Sequence, residues 1–308
     1  MATMMAFSSI MAMASATTAA TLKVSIENLS PPNGNVLTPF WVGLHNGSFD
    51  LYDLGSPAAP AIKALAGGGI TGFESTIPGL VEGFRSIGFP DFDGTIPNIP
   101  PDSTLSSVFA RSSAAMNGGI QSLVFTNNPF GLGTTGVSGI FWPSYTATRM
   151  IELNNSFASH RYFSYATNLY PTNDAFIAND DPIEIFDAEG NFIGADFIVY
   201  GHQVLDAGTE INDENPLVGA PLFHTGIPEN GVIHIHQGVK PPGSGGVLDF
   251  EVQGKQVFAN ADFKAPGYQV ARITITQVPE SVPEPATTTG LFCLGGLFML
   301  RRRVRQGR

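Results

Sequence analysis

Apolar and polar residues alternate with a period of two in several short segments of this chain. That period predicts strands, because successive side chains on a strand point to opposite faces. In residues 21–29 (TLKVSIENL), Leu22, Val24 and Ile26 share one face. In residues 270–278 (VARITITQV), Ile273 and Ile275 point inward while Arg272, Thr274 and Thr276 point outward. Residues 247–253 (VLDFEVQ) predict another strand, with Leu248, Phe250 and Val252 opposite Asp249, Glu251 and Gln253. Residues 183–204 predict two or three strands broken by a turn at Ala188-Glu189-Gly190-Asn191. Helical candidates are short: 58–66 and 103–116. With 35 glycines and 23 prolines cutting the chain into short pieces, the expectation is an all-β domain. The predicted architecture is a single antiparallel two-sheet β-sandwich with a few short helices.

The two ends depart from this pattern. Residues 1–20 carry no charge, hold a modest apolar stretch at 7–14, and include Ala14-Ser15-Ala16, an A-x-A cleavage pattern. They are expected to be a signal peptide. At the other end, Pro283 and Pro285 forbid a helix running in from the domain. An apolar run follows at 286–300, then Arg301, Arg302, Arg303, Arg305 and Arg308. The run would extend about 22 Å as a helix, short of the ~20 residues that a bilayer span wants. Arginines stay on the cytoplasmic side, so everything before Val282 is expected outside the cytoplasm. The predicted organisation is a signal peptide at 1–20, one sandwich domain at 21–276, a linker at 277–285, a transmembrane or sorting helix at 286–300 and a basic cytoplasmic tail at 301–308.

Charge narrows the partners. Residues 21–282 hold 25 acidic and 10 basic residues, a net of −15 with histidine neutral. Such a surface repels nucleic acid and anionic lipid and attracts divalent cations or basic partners. The single cysteine, Cys293, lies in the apolar tail, so the domain is held without disulfides. No P-loop or G-x-S-x-G motif occurs.

The ending, with Val282-Pro283-Glu284-Pro285, a short apolar segment and a basic terminus, resembles the PEP-CTERM sorting signal of Gram-negative bacteria. The resemblance implies recognition by an exosortase-type membrane protease, transient membrane insertion through the tail, and release or anchoring at the outer surface or in the extracellular matrix. An ordinary stop-transfer anchor remains the alternative. Three further stretches resemble the spondin domain. They are Thr38–His45 (TPFWVGLH), Arg161–Ile177 with its P-x-x-D-x-F turn, and Asp206-Ala207-Gly208-Thr209-Glu210. That resemblance implies a calcium-binding β-sandwich of matrix and adhesion proteins, with Asp174, Asp206 and Glu210 at the calcium positions and no catalytic reaction.

The chemistry of the residues agrees. Calcium takes six to eight oxygens, usually with carboxylates from loops; Asp174 and Asp206 fall at predicted strand ends, and the turn at Gly208 lets Glu210 return toward Asp206. Asx-type turn capping is the competing use of such aspartates. Asp180-Asp181 and Asp213-Glu214 stand close in sequence as weaker candidates. His234 and His236 project from one face of a predicted strand. With His202 or His224 they could form a transition-metal site of a secreted metalloenzyme. Ile233 and Ile235 supply the core face there, so an exposed histidine pair is the expectation. Trp41, Trp142 and the tyrosines of 161–170 leave a polysaccharide-binding reading open, while buried packing is the expected use of most of them. Surface proteins and matrix polysaccharide are the candidate partners. No catalytic residue is assigned.

Overall fold

The computed structural model describes residues 20–79, 100–127, 139–153, 157–214, 226–252 and 254–279. The chain divides into two compact units, Met1–Gln277 and Val278–Arg308. The first carries nearly all of the described structure.

In chain order the strands are β1 (Thr21–Asn28), β2 (Val36–Leu37), β3 (Phe40–His45), β4 (Ile120–Val124) and β5 (Thr146–Glu152). They continue with β6 (Tyr162–Tyr170), β7 (Ala175–Ala178), β8 (Ile183–Glu184), β9 (Ala195–Tyr200) and β10 (Leu205–Asp206). The last four are β11 (His234–Ile235), β12 (Glu251–Val252), β13 (Lys255–Gln256) and β14 (Gln269–Val278). Helices α1 (Pro60–Gly68), α2 (Leu105–Ala110) and α3 (Ser113–Met116) lie between β3 and β4. One sheet runs β5-β1-β14-β9. The other runs β11-β10-β7-β6-β3-β4, with β2 and β8 also on β6.

The expected mostly-β, sandwich-like architecture is present. Leu22, Val24 and Ile26 of β1 and Ile273 and Ile275 of β14 pack against Phe40, Val42 and Leu44 of β3 and Phe163 and Tyr165 of β6. Their partners on the outer face, such as Arg272 and Asp196, meet solvent and pair at 2.6 Å.

The larger sheet is covered on both faces at β3. All six residues of β3 are buried. Its second face, with Trp41, Ala166, Phe176 and Leu205, is covered by Ile62 and Leu65 of α1 and by Leu105 and Phe109 of α2. Pro60 opens α1 at a position that needs no N–H partner. Gly69 closes it in a left-handed conformation, its N–H bonding the Ala64 and Leu65 carbonyls. Thr104 caps α2 in a reciprocal box with Ser107. Trp41 is wholly buried here and donates to Gln121 Oε1 at 2.7 Å, so it is a packing residue and not an exposed sugar platform.

Two further expectations need correction. Residues 247–249 form a 3₁₀ turn and not a strand. The Asp249 carboxylate accepts from the Gly243 and Gly245 N–H groups at 2.7 and 2.8 Å, which wraps the loop and breaks the alternation. The apolar stretch Val199–Leu205, expected as one strand leading to Asp206, is also not one strand. It leaves the smaller sheet after Tyr200, turns at 201–203, and enters the larger sheet as β10. Gly201 makes this crossing possible, because a Cβ there would stand 1.7 Å from the Phe263 carbonyl oxygen. Among the described residues no helix is long and apolar enough to cross a membrane. The expected signal peptide and the 286–300 segment lie outside the described residues.

Candidate functional site: a buried acidic pole

Strand pairing brings two of the three sequence-predicted acids, Asp174 and Asp206, side by side, while Glu210 reaches Asp174 through its backbone N–H. Asp206 pairs with Ala175 across β10 and β7, which places it beside Asp174 at the start of β7. The chain reaches Asp174 from β6 through the tight turn 171–174, entered by a cis Tyr170–Pro171 peptide. Past Asp206 the chain turns at Gly208, with φ +64°, and a Cβ there would meet the Val232 N and O at 2.6 Å. The turn aims successive N–H groups back at Asp174. Asp174 Oδ2 accepts from the Thr209 N–H at 2.6 Å, the Thr209 hydroxyl at 2.8 Å and the Glu210 N–H at 3.0 Å. Asp206 Oδ1 accepts from the Gly208 N–H at 2.7 Å, an Asx-type turn, and its Oδ2 accepts from Asn212 Nδ2 at 2.6 Å. The turn-capping use of aspartate is therefore realised, and it coexists with convergence of the acids.

Asp174, Asp206 and Glu210 are 0, 1 and 2 % exposed. Neither aspartate pairs with a lysine or arginine among the described residues. Asp174 Oδ1 is buried with no hydrogen-bond partner among the described residues. Burial, and then the neighbouring Asp206 charge, pushes the Asp174 carboxyl up to about 6, against the hydrogen bonds from Thr209 and Glu210. An orphaned carboxylate oxygen beside a second buried acid suits a hard cation. Among the described residues, however, no three or more His, Cys, Asp or Glu side chains are arranged to hold a metal.

The histidines correct the sequence expectation. Ile233 and Ile235 do share a face, but Ile235 is 40 % exposed, while His236 on the opposite face is only 3 % exposed. The His236 ring packs edge-on against Phe263, with centroids 5.1 Å apart. The cover by Phe263 reaches His236 only, because the His234 side chain on the same face stays 45 % exposed. The Nε2 atoms of His234 and His236 both stand 3.8 Å from Asp206 Oδ2. His236 Nδ1 accepts from the Gly238 N–H at 3.0 Å, which places the proton of the neutral ring on Nε2 and leaves that atom no lone pair for a metal. Burial holds His236 down to about 4, opposed by Asp206. His224 lies outside the described residues.

The two weaker acidic pairs separate. Glu214 accepts from the Lys240 and Val247 N–H groups at 2.6 and 3.2 Å, while Asp213 Oδ1 accepts from Asn173 Nδ2 at 3.1 Å. Both brace loops beside the pole. Asp180 and Asp181 lie beyond the far end of β7, exposed and near Tyr52, and so take no part in the pole. Thr209 and Asn212, which supply hydrogen bonds here, were not singled out in the sequence. Thr209 was visible only as the fourth letter of the D-A-G-T-E stretch.

Residues 281–305 match the PEP-CTERM protein-sorting motif. The motif marks the chain as exported and sorted to the cell surface by an exosortase-type system. No curated protein matches the chain.

Proposed function

We propose that this protein is a non-enzymatic binding or structural module of the cell surface, with a divalent cation, calcium, bound at the Asp174–Asp206 pole. The observation that carries this reading is the buried, unpartnered Asp174 Oδ1 beside Asp206. Asp174 and Asp206, with Glu210, would hold the ion. Calcium would supply the positive charge that lets both aspartates stay ionised out of water. The chain supplies the frame: Gly208 sets the turn, and Thr209 and Asn212 fix the carboxylates. The three spondin-like stretches and the surface-sorting motif support the same reading.

The sign of the pH effect distinguishes an ion-free pole from a loaded one. With the Asp174 carboxyl raised from 3.8 to about 6, the folded state binds more protons than the unfolded chain between those values. In chelator, this group's contribution to stability therefore falls as pH rises through that window. Bound calcium cancels the loss. The test is thermal melting of the exported protein at pH 7.5. Calcium at ~100 times its Kd should add ~2.7 kcal/mol, a rise of roughly 5–10 °C for a domain of this size. Asp174→Asn should melt no lower than wild type in chelator and lose the calcium response. A melting temperature indifferent to calcium would rule the reading out.

A further inference from the structure

At the other end of β7 lies a cavity of about 610 Å³. Its apolar walls are the rings of Tyr52, Tyr165 and Phe197, with His202, Gln203 and Asp180 among its polar lining. These groups come from four stretches of chain: the loop after β3, β6, the loop after β7, and β9 with the turn behind it. The walls are held by packing from behind. Tyr165 and Phe197 stand 5.8 Å apart, and Tyr52 packs edge-on against Phe176 at 5.7 Å.

Two independent observations indicate a ligand of defined charge. The first is Tyr165, only 4 % exposed and lining the cavity, whose hydroxyl makes no hydrogen bond with any described residue. The hydroxyl opens into the cavity, where an occupant can pair with it. The second is the electrostatic field. No described lysine or arginine lines the cavity. The Asp50, Asp180 and Asp181 carboxylates all act on Tyr52, and Asp53 acts with them on Asp180. Asp180 is itself raised, by partial burial and then by Asp181, Asp50 and Asp53. Aromatic faces carry negative potential, so rings and carboxylates select the same sign of charge. An inorganic cation gains little from the rings because it keeps its water. An organic ammonium group gains from both.

We propose that this cavity binds an organic ammonium group, seated against the Tyr52, Tyr165 and Phe197 rings and facing the Asp180 carboxylate. The site is distinct from the buried pole and does not rest on the cation reading there. The quaternary ammonium of a choline-type group and the protonated amine of an amino sugar share this chemistry, and the probes separate them. The exported protein is titrated with choline and with glucosamine, each beside its neutral counterpart, 3,3-dimethylbutanol and glucose, while the tyrosine ring signals are followed by NMR. At least one ammonium probe should bind about tenfold more tightly than its neutral counterpart. Asp180→Asn, at an exposed position that leaves the fold intact, should weaken that probe several-fold, and Tyr52→Leu should weaken it further. Equal binding of charged and neutral probes would overturn the proposal by showing an apolar cavity only. So would saturation by calcium at the same signals, an unchanged affinity in Asp180→Asn, or the lack of any saturable shift with either ammonium probe.

Discussion

At one end of β7 the Asp174 and Asp206 carboxylates are buried under backbone N–H groups, while at the other Asp180 and Asp181 stand in solvent beside an aromatic cavity. Both regions are acidic, and the sequence offers nothing in residue type to separate them. Burial separates them. Inside, each carboxylate oxygen needs a donor or a cation; three of the four are met by hydrogen bonds, and Asp174 Oδ1 has no partner among the described residues. Outside, water solvates the carboxylates, and they act through their field on whatever enters the cavity. The buried acids fix structure, and the exposed ones are positioned to select charge.

The sharpest way to break this contrast is at the turn between Asp206 and Glu210. Gly208→Val demands a left-handed β-branched residue and drives its Cβ into the Val232 backbone. The expected loss is about 3 kcal/mol or more, read by urea unfolding. The same substitution at Gly254, also at positive φ but with nothing within 4 Å of a Cβ, should cost markedly less.

A buried histidine extends the comparison. His45 lies beneath the helices, its Nε2 3.0 Å from Ser164 Oγ and its Nδ1 accepting from the Gly47 N–H. Burial lowers it to about 4. The unfolded chain therefore takes up the proton first, and stability is lost as pH falls from about 6.5 toward 4, by on the order of 3 kcal/mol. His45→Asn should flatten that limb of a pH–stability curve.

Carboxylate removal should then grade with burial. Asp206→Ala strips the acceptors from the Gly208 N–H and Asn212 Nδ2 and should cost about 2 kcal/mol in chelator. Asp180→Ala should stay within ~0.5 kcal/mol of wild type. Equal costs at the two positions would mean that burial is not what distinguishes the regions.

The sequence was readable where one face of a strand meets water. β1 and β14 alternate because Lys23 and Arg272 face out while Val24 and Ile273 face in. β3 and the middle of β6 are covered on both sides, so alternation carries no information there, and the helical layer was legible only as two short helical candidates. The sheet crossing at Gly201 was hidden, because a glycine chosen for its contact with Phe263 looks like any turn glycine. At the site, the strand-end positions of Asp174 and Asp206 were legible. The burial of His236 was not, since the cover comes from Phe263, 27 residues further along. The aromatic cavity was likewise invisible, because Tyr52, Tyr165 and Phe197 meet only once the strands have paired.

Calorimetric titration of calcium into the exported protein at pH 7.5, wild type beside Asp174→Asn/Asp206→Asn, tests the account of the pole most directly. The account predicts saturable binding near one ion per chain in the wild type and none in the double variant. No calcium binding in the wild type, or binding undiminished in the variant, would contradict it.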